Sequence, residues 1–229
     1  MKDILLEDLN EQQLGAVTTT EGPVLILAGA GSGKTRALTH RVAYLIKEKD
    51  VSPYNMLVTT FTNKAANEMK QRIFQLLRGS QDKTHDEILQ IPWMGTFHSI
   101  CAKILRREAG LLGYKTSFTI YDEDDSLAAV KEAMKTLRLD PKRYSPGAVR
   151  TFISGAKHEL MDPKEYRRFA QGHFGEIVQR VYEQYQKDLK ASNAMDFDDL
   201  LMKTVELFQK YPDVLEKYQK VFEYILIDE

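Results

Sequence analysis

The chain has 229 residues, 43% hydrophobic and 28% charged, with 32 basic and 33 acidic side chains and a formal net charge of −1. That composition is ordinary for a soluble globular protein with room for one large or two modest cores. A single cysteine, Cys101, excludes an internal disulfide and a cysteine-built metal cluster, and histidines 40, 85, 98, 158 and 173 show no ligand spacing. No apolar run reaches the roughly 20 residues that span a bilayer, and residues 1–7 lack a signal-peptide core. The expectation is a cytoplasmic protein without a membrane partner or structural metal.

In chain order, Asn10–Val17 predicts a helix, and Asn10-Glu11-Gln12-Gln13 fits a capping box with Asn10 as N-cap and Gln13 three residues on. The apolar run Val24–Leu27 predicts a strand. It leads into Ala28-Gly29-Ala30-Gly31-Ser32-Gly33-Lys34-Thr35 and a helix over 34–47. Strand, glycine-rich turn and helix is the context that makes this motif a phosphate-binding loop. Its glycines let backbone N–H groups turn toward phosphate oxygens, and the helix N-terminus behind them favours negative charge. Lys34 is then expected on the β- and γ-phosphates of ATP, with the Thr35 hydroxyl on Mg²⁺. Ala28 stands where the general pattern has glycine.

Further strands are predicted at Met56–Phe61 and Trp93–Gly95, and helices at Asn63–Leu77 and Thr96–Arg107. Residues 78–92 read as a surface loop between them. Ala66, Met69, Ile73 and Leu76 form a core stripe at helical spacing, and Trp93 and Cys101 read as structural. Strands alternating with helices suggest βαβ units on a parallel sheet. Residues 109–194 change character to helices and polar loops with little β signal. Met195–Lys210 then reads as a helix and Tyr224–Ile227 as a buried strand, so the helical part is an insertion within an α/β domain. That last strand ends in Asp228-Glu229, the second half expected of a phosphate-loop ATPase site. The aspartate would support Mg²⁺ and the glutamate would orient and deprotonate the attacking water.

Charge is uneven despite its near-zero sum. From Lys131 to Arg168 ten basic residues face five acidic ones, just after the acidic run Asp122-Glu123-Asp124-Asp125. Such runs are commonly solvated helix faces and can also be nucleic-acid footprints.

Six segments together resemble superfamily 1A DNA helicases of the PcrA/UvrD/Rep group. They are Leu9-Asn10-Glu11-Gln12-Gln13, the phosphate loop continuing into Arg36, and Phe61-Thr62-Asn63-Lys64-Ala65-Ala66. Gly95-Thr96-Phe97-His98-Ser99, Asp196-Phe197-Asp198-Asp199-Leu200 and Ile225-Leu226-Ile227-Asp228-Glu229 complete the set. Ala28 is tolerated in that family. The resemblance implies a RecA-like motor subdomain with an incomplete parallel sheet over residues 1–108 and 195–229. An all-helical subdomain over 109–194 would interrupt it.

By the same resemblance Gln13 would read adenine, although the capping role fits it equally, and Arg36 would stack on adenine unless it is a plain surface arginine. Phe61, Thr62, Asn63 and Lys64 would grip single-stranded DNA, with Thr62 as a helix cap and Phe61 as a core aromatic the structural alternatives. Thr96 and His98 would do likewise, and Phe197 would line a pocket for a DNA base, with Asp196 available as N-cap. The implied whole enzyme translocates 3′ to 5′ on single-stranded DNA and opens single-strand/duplex junctions. A glutamine soon after Glu229, a second motor subdomain with arginines facing the γ-phosphate, and a second aromatic on adenine are expected beyond these residues. The chain alone is therefore expected to bind nucleotide with negligible turnover. A non-catalytic nucleotide- or DNA-binding module, the motor of a recombination nuclease–helicase and an RNA-directed motor are the other readings.

Overall fold

The computed structural model describes residues 5–29, 31–78 and 91–228. Two compact units share the chain: Met1–Ile100 with Glu216–Glu229, and Cys101–Leu215. The first is therefore discontinuous in sequence. Helices α4 (Phe97–Glu108) and α10 (Pro212–Val221) carry the chain across the two divisions.

In the discontinuous unit, β1 (Met56–Thr60), β2 (Met94–Thr96) and β5 (Tyr224–Asp228) form a parallel sheet in the order β2-β1-β5. Thr60 pairs with Thr96 on one side and with Asp228 on the other, so all three strands end at one edge. Alternation in β1 turns Met56 and Val58 to one face. There they meet Leu226 and the apolar stripes of α2 (Lys34–Glu48) and α3 (Asn63–Arg78): Leu38, Val42, Leu45, Met69 and Ile73. Ala66, Met69 and Ile73 of the predicted stripe are buried, and Leu76 is partly so. Trp93 is buried edge-on against Tyr218 and Phe222, which is the structural role expected of it.

The predicted strand Val24–Leu27 does not form. Residues 23–29 are irregular, and Leu25 and Leu27 are 81% and 85% exposed. An apolar run becomes a strand only where a neighbour takes its N–H and C=O groups, and among the described residues β5 pairs with β1 alone. The predicted loop over 78–92 falls mostly outside the described residues, as do Ala30 and Glu229.

The second unit packs α5 (Glu123–Thr136), α6 (Pro146–His158), α7 (Pro163–Phe169), α8 (Gly172–Ala191) and α9 (Phe197–Lys210). Its core is Val130, Met134, Val149, Ile153, Val178, Val181, Tyr182, Tyr185 and Leu189, with flanking side chains. Four of its helices start on side-chain caps, Asp122, Ser145, Asp162 and Asp196, of which the last is expected from sequence. The acidic run 122–125 is thereby explained. Asp122 and Asp125 exchange bonds of 2.9 and 3.3 Å at the α5 N-terminus, where carboxylates complement the helix dipole.

The expectation of an all-helical segment needs correction. β3 (Thr119–Tyr121) pairs in parallel with β4 (Ala194–Asp196), Tyr121 opposite Asp196. Strands of three residues are too short to show a period, and their partners lie far apart in sequence.

Candidate nucleotide site and strand–helix junctions

The glycine-rich loop ends on Gly33, the N-cap of α2, whose backbone is left-handed at φ +90°. A side chain there would be strained by that backbone, and its Cβ would stand 2.6 Å from Gln13 Nε2, so the amide would also have to shift. Ser32 Oγ donates to the Gly29 carbonyl at 2.6 Å and closes the turn. Lys34, first residue of α2, folds back and donates from Nζ to the Ala28 carbonyl at 2.7 Å. Its ammonium is thus held over the loop, within reach of what the loop would cradle.

Thr35 follows on the same helical turn. Its hydroxyl donates to Asp228 Oδ2 at 3.1 Å, joining the start of α2 to the end of β5 across 193 residues of chain. Asp228 is 8% exposed. A hydroxyl and a carboxylate converging beside an anion-binding loop are hard oxygen ligands of the kind Mg²⁺ takes together with phosphate and water. The donor set therefore fits magnesium nucleotide. Ligands of open α/β sheets bind outside the carboxyl ends of the strands, where Asp228 stands.

Helix α1 (Glu11–Thr18) brings Gln13 to this loop. Gln13 Nε2 donates to the Ser32 carbonyl at 3.2 Å while its Oε1 accepts from Asn10 N–H at 3.2 Å, and Asn10 accepts from Gln13 N–H at 2.8 Å. The capping box is formed, and the same amide also touches the loop. Arg41 of α2, buried, donates to the carbonyls of Ala16, Thr19 and Thr20 at the end of α1 and ties the two helices together. Arg36 is exposed and pairs with Asp8 at 3.5 Å.

Beyond the nucleotide loop, the remaining predicted residues sit where strands hand over to helices. After β1, Thr62 Oγ1 accepts from Ala65 N–H at 3.1 Å and caps α3. Phe61 beside it is 76% exposed, so it is no core aromatic, and Asn63 and Lys64 are exposed as well. After β2, buried Thr96 accepts from Ser99 N–H at 3.3 Å and starts α4, with His98 half-buried in its first turn. Phe97, which the sequence reading passed over, is 39% exposed. Its signal was available: an aromatic directly after a strand-ending threonine, as Phe61 follows Thr60. Because Thr60 and Thr96 are register partners, Phe61 and Phe97 both leave the carboxyl edge of the sheet.

In the second unit the same device recurs after β4. Asp196 caps α9, accepting from Asp199 N–H at 2.8 Å, and Phe197 is 46% exposed. Next to it in the chain lies a buried ion cluster. Lys157 Nζ stands 2.6 Å from Asp196 Oδ2 and 3.0 Å from Asp199 Oδ1, with both the lysine and Asp199 side chains at 0% exposure. Tyr185 donates to Asp196 Oδ2 at 2.7 Å, and Gln186 Nε2 to Asp199 Oδ1 at 2.8 Å. Burial pushes the Asp196 carboxyl up, but Lys157 and the Tyr185 hydroxyl outweigh it and hold it below the usual carboxylate range. Lys157 thus leaves the basic stretch 131–168 as a candidate for surface contact. The available signal is its place on the α6 face that carries Val149 and Ile153, eight and four residues before it. Cys101 is half-buried, and burial pushes its thiol up, as suits a structural cysteine.

A parallel sheet whose strand-end aspartate meets a glycine-rich loop at a helix start is the arrangement of the P-loop nucleotide-binding class. Residues 9–229 match the UvrD/REP helicase N-terminal domain, and the chain belongs to that family. It is 48% identical over 225 residues to the ATP-dependent DNA helicase PcrA of Bacillus subtilis, covering 98% of this chain and 29% of that protein. To the ATP-dependent DNA helicase PcrA of Staphylococcus aureus strain NCTC 8325 it is 49% identical over 225 residues, covering 98% and 30%. The chain thus spans under a third of the curated relatives it matches. No helix among the described residues is long and apolar enough to cross a membrane.

Proposed function

We propose that the chain is the nucleotide-binding part of an ATP-dependent DNA motor that translocates 3′ to 5′ on single-stranded DNA and opens duplex at junctions. The observation that carries the nucleotide part of this reading is the Thr35–Asp228 contact at 3.1 Å, which supports a magnesium site beside the phosphate loop. The discontinuous first unit supports its reading as a RecA-like motor subdomain interrupted by a mostly helical one. The family and the helicase activity named for its relatives support the DNA substrate.

In this reading the loop from Ala28 to Gly33 offers backbone N–H groups to the phosphates, and Lys34 moves from the Ala28 carbonyl onto the β- and γ-phosphate oxygens. Thr35 and Asp228 would hold magnesium, which would supply charge neutralisation there. Glu229, next in sequence, takes the proton of the attacking water. Gln13 reads the adenine edge from its seat on Ser32, and Arg36 leaves Asp8 to stack on the ring. Phe61 with Thr62, Asn63 and Lys64, then Thr96 and His98, and in the second unit Phe197, hold the DNA strand. Exposed rings give sequence-tolerant stacking of about 1–3 kcal/mol per base, and helix N-termini hold phosphates.

Sustained turnover is not expected of these residues alone, since arginines facing the γ-phosphate contribute about 10³–10⁵ in rate in related P-loop enzymes and this reading places them in a second motor subdomain. Nucleotide binding is expected. Titration with a fluorescent, non-hydrolysable ATP analogue should show Lys34→Ala weakening affinity by about tenfold or more, the scale of a charge-assisted phosphate contact. Equal affinity in the two proteins would remove the phosphate-loop assignment. The module reading, a chain that binds nucleotide or DNA without turnover, shares this result and parts from the motor only in the full polypeptide.

A further inference from the structure

The buried cluster around Lys157 is used by neither the nucleotide site nor the DNA contacts named above, yet it is built around Phe197. Asp196 precedes the ring in sequence, and Asp196 and Asp199 close the α9 capping box across it. Both carboxylates are then fixed from behind, by Lys157 of α6 and by Tyr185 and Gln186 of α8. A cavity of about 430 Å³ lies at this corner, and Ile153, His158, Tyr185, Asp196 and Phe197 are among its walls. Phe197, Asp196 and Tyr185 therefore border the same space. His158 reaches Asp198, the residue after Phe197, at 3.0 Å. Asp196, Asp198 and Asp199 are thus each bonded to α6 or α8.

The capping box accounts for the two aspartates but not for a lysine sealed behind them. Holding an aromatic platform in one orientation before its ligand arrives reduces the ordering cost of binding, and supporting bonds of this kind are what hold it. We propose that Lys157 and Tyr185 are positioning residues for Phe197: through Asp196 and Asp199 they hold the ring at the cavity mouth, ready for an unstacked base of single-stranded DNA. This rests on the reading above that Phe197 contacts DNA.

The test is a double-mutant cycle on binding of a fluorescein-labelled oligothymidylate, followed by anisotropy. Phe197→Ala is expected to weaken binding by about 5- to 100-fold, the range of one base–aromatic stack. Tyr185→Phe removes the hydroxyl on Asp196 and keeps the ring in the core, so it leaves the protein folded. It is expected to weaken binding about 2- to 5-fold alone and by under about 1.5-fold when Phe197 is already alanine, because residues acting through one another are not additive. Lys157→Met should follow the same pattern at a temperature where its circular dichroism is native. Nucleotide affinity, read in the other unit, stays unchanged in all of them. Equal losses with and without Phe197 would overturn the positioning role while leaving the DNA reading intact. No loss in Phe197→Ala itself would overturn the DNA reading of that ring, and this inference with it.

Discussion

Lys157→Met is expected to lower stability by about 3–5 kcal/mol, the cost of breaking a buried ion pair by removing one partner. The lysine side chain is fully buried, and so is that of Asp199, while Asp196 retains 9%. Methionine fills the stem's space but leaves two carboxylates in a dry site with only Tyr185, Gln186 and backbone N–H groups to answer them. A surface lysine such as Lys135, paired only with Glu132 and mostly exposed, should cost under about 1 kcal/mol when changed to methionine. Urea unfolding followed by far-ultraviolet circular dichroism measures both. A Lys157→Met midpoint within error of the Lys135→Met midpoint would contradict the cluster's role. The sequence reading counted these two lysines alike, and the structure separates them completely.

A second large effect is expected in alkali. Tyr114, Tyr182 and Tyr185 are buried, at 6%, 0% and 1% exposure. Burial pushes all three phenols far above the ordinary tyrosine value, and the carboxylates of Asp196 and Asp199 push them further. Tyr182 also donates to the Met161 carbonyl at 2.9 Å, and Tyr185 to Asp196, so a phenolate would lose its acceptor as well as face a like charge. Lys157 is raised too, its two carboxylates outweighing a burial that alone would lower it.

The sign follows from proton counting. Above pH about 10 the unfolded chain releases these protons while the folded chain keeps them, so the unfolded state binds fewer and stability falls as pH rises. Each group contributes up to about 1.4 kcal/mol per pH unit, and the three tyrosines together about 4 kcal/mol per unit. Stability should be nearly level between pH 7 and 9 as far as these groups are concerned. It should then drop steeply from pH 10 upward. Urea midpoints at pH 8 and pH 11 check this, and equal midpoints would show that the phenols ionise as freely in the folded chain as in water.

The parts of the site that sequence revealed are those whose chemistry is local. Lys34 and Thr35 follow a glycine run that only a phosphate-binding turn explains well, and Asp228 closes an apolar strand. Their meeting at 3.1 Å is the long-range fact that composition and spacing could suggest but not contain. Caps were legible for the same reason: Asn10, Thr62 and Asp196 each bond to a backbone N–H three residues on. The strand–helix junctions were legible as motifs, but exposure was not. Phe61 could have been core, and stands in solvent; Phe97 carries the same position and was passed over.

What failed failed through partners distant in sequence. Val24–Leu27 has strand-like residues, yet strand formation depends on a neighbouring backbone, which the run itself cannot specify. β3 and β4 offer three residues each and become strands only by finding one another. Lys157 looks like part of a basic surface because its two aspartates lie about 40 residues away, on the far side of α8 in the chain. Gln13 shows a milder form. Its capping role is formed, and the amide has enough donors and acceptors to touch the loop as well.

The central claim is that the loop from Ala28 to Thr35 and the strand-end Asp228 together hold a magnesium nucleotide. Isothermal titration of a non-hydrolysable ATP analogue, with Mg²⁺ and with excess chelator, tests it most directly when wild type is set beside Asp228→Asn. The account predicts that Mg²⁺ strengthens binding to wild type by about tenfold or more, and that most of this gain disappears in Asp228→Asn. Binding that ignores Mg²⁺ in wild type, or a magnesium gain undiminished in Asp228→Asn, would contradict it.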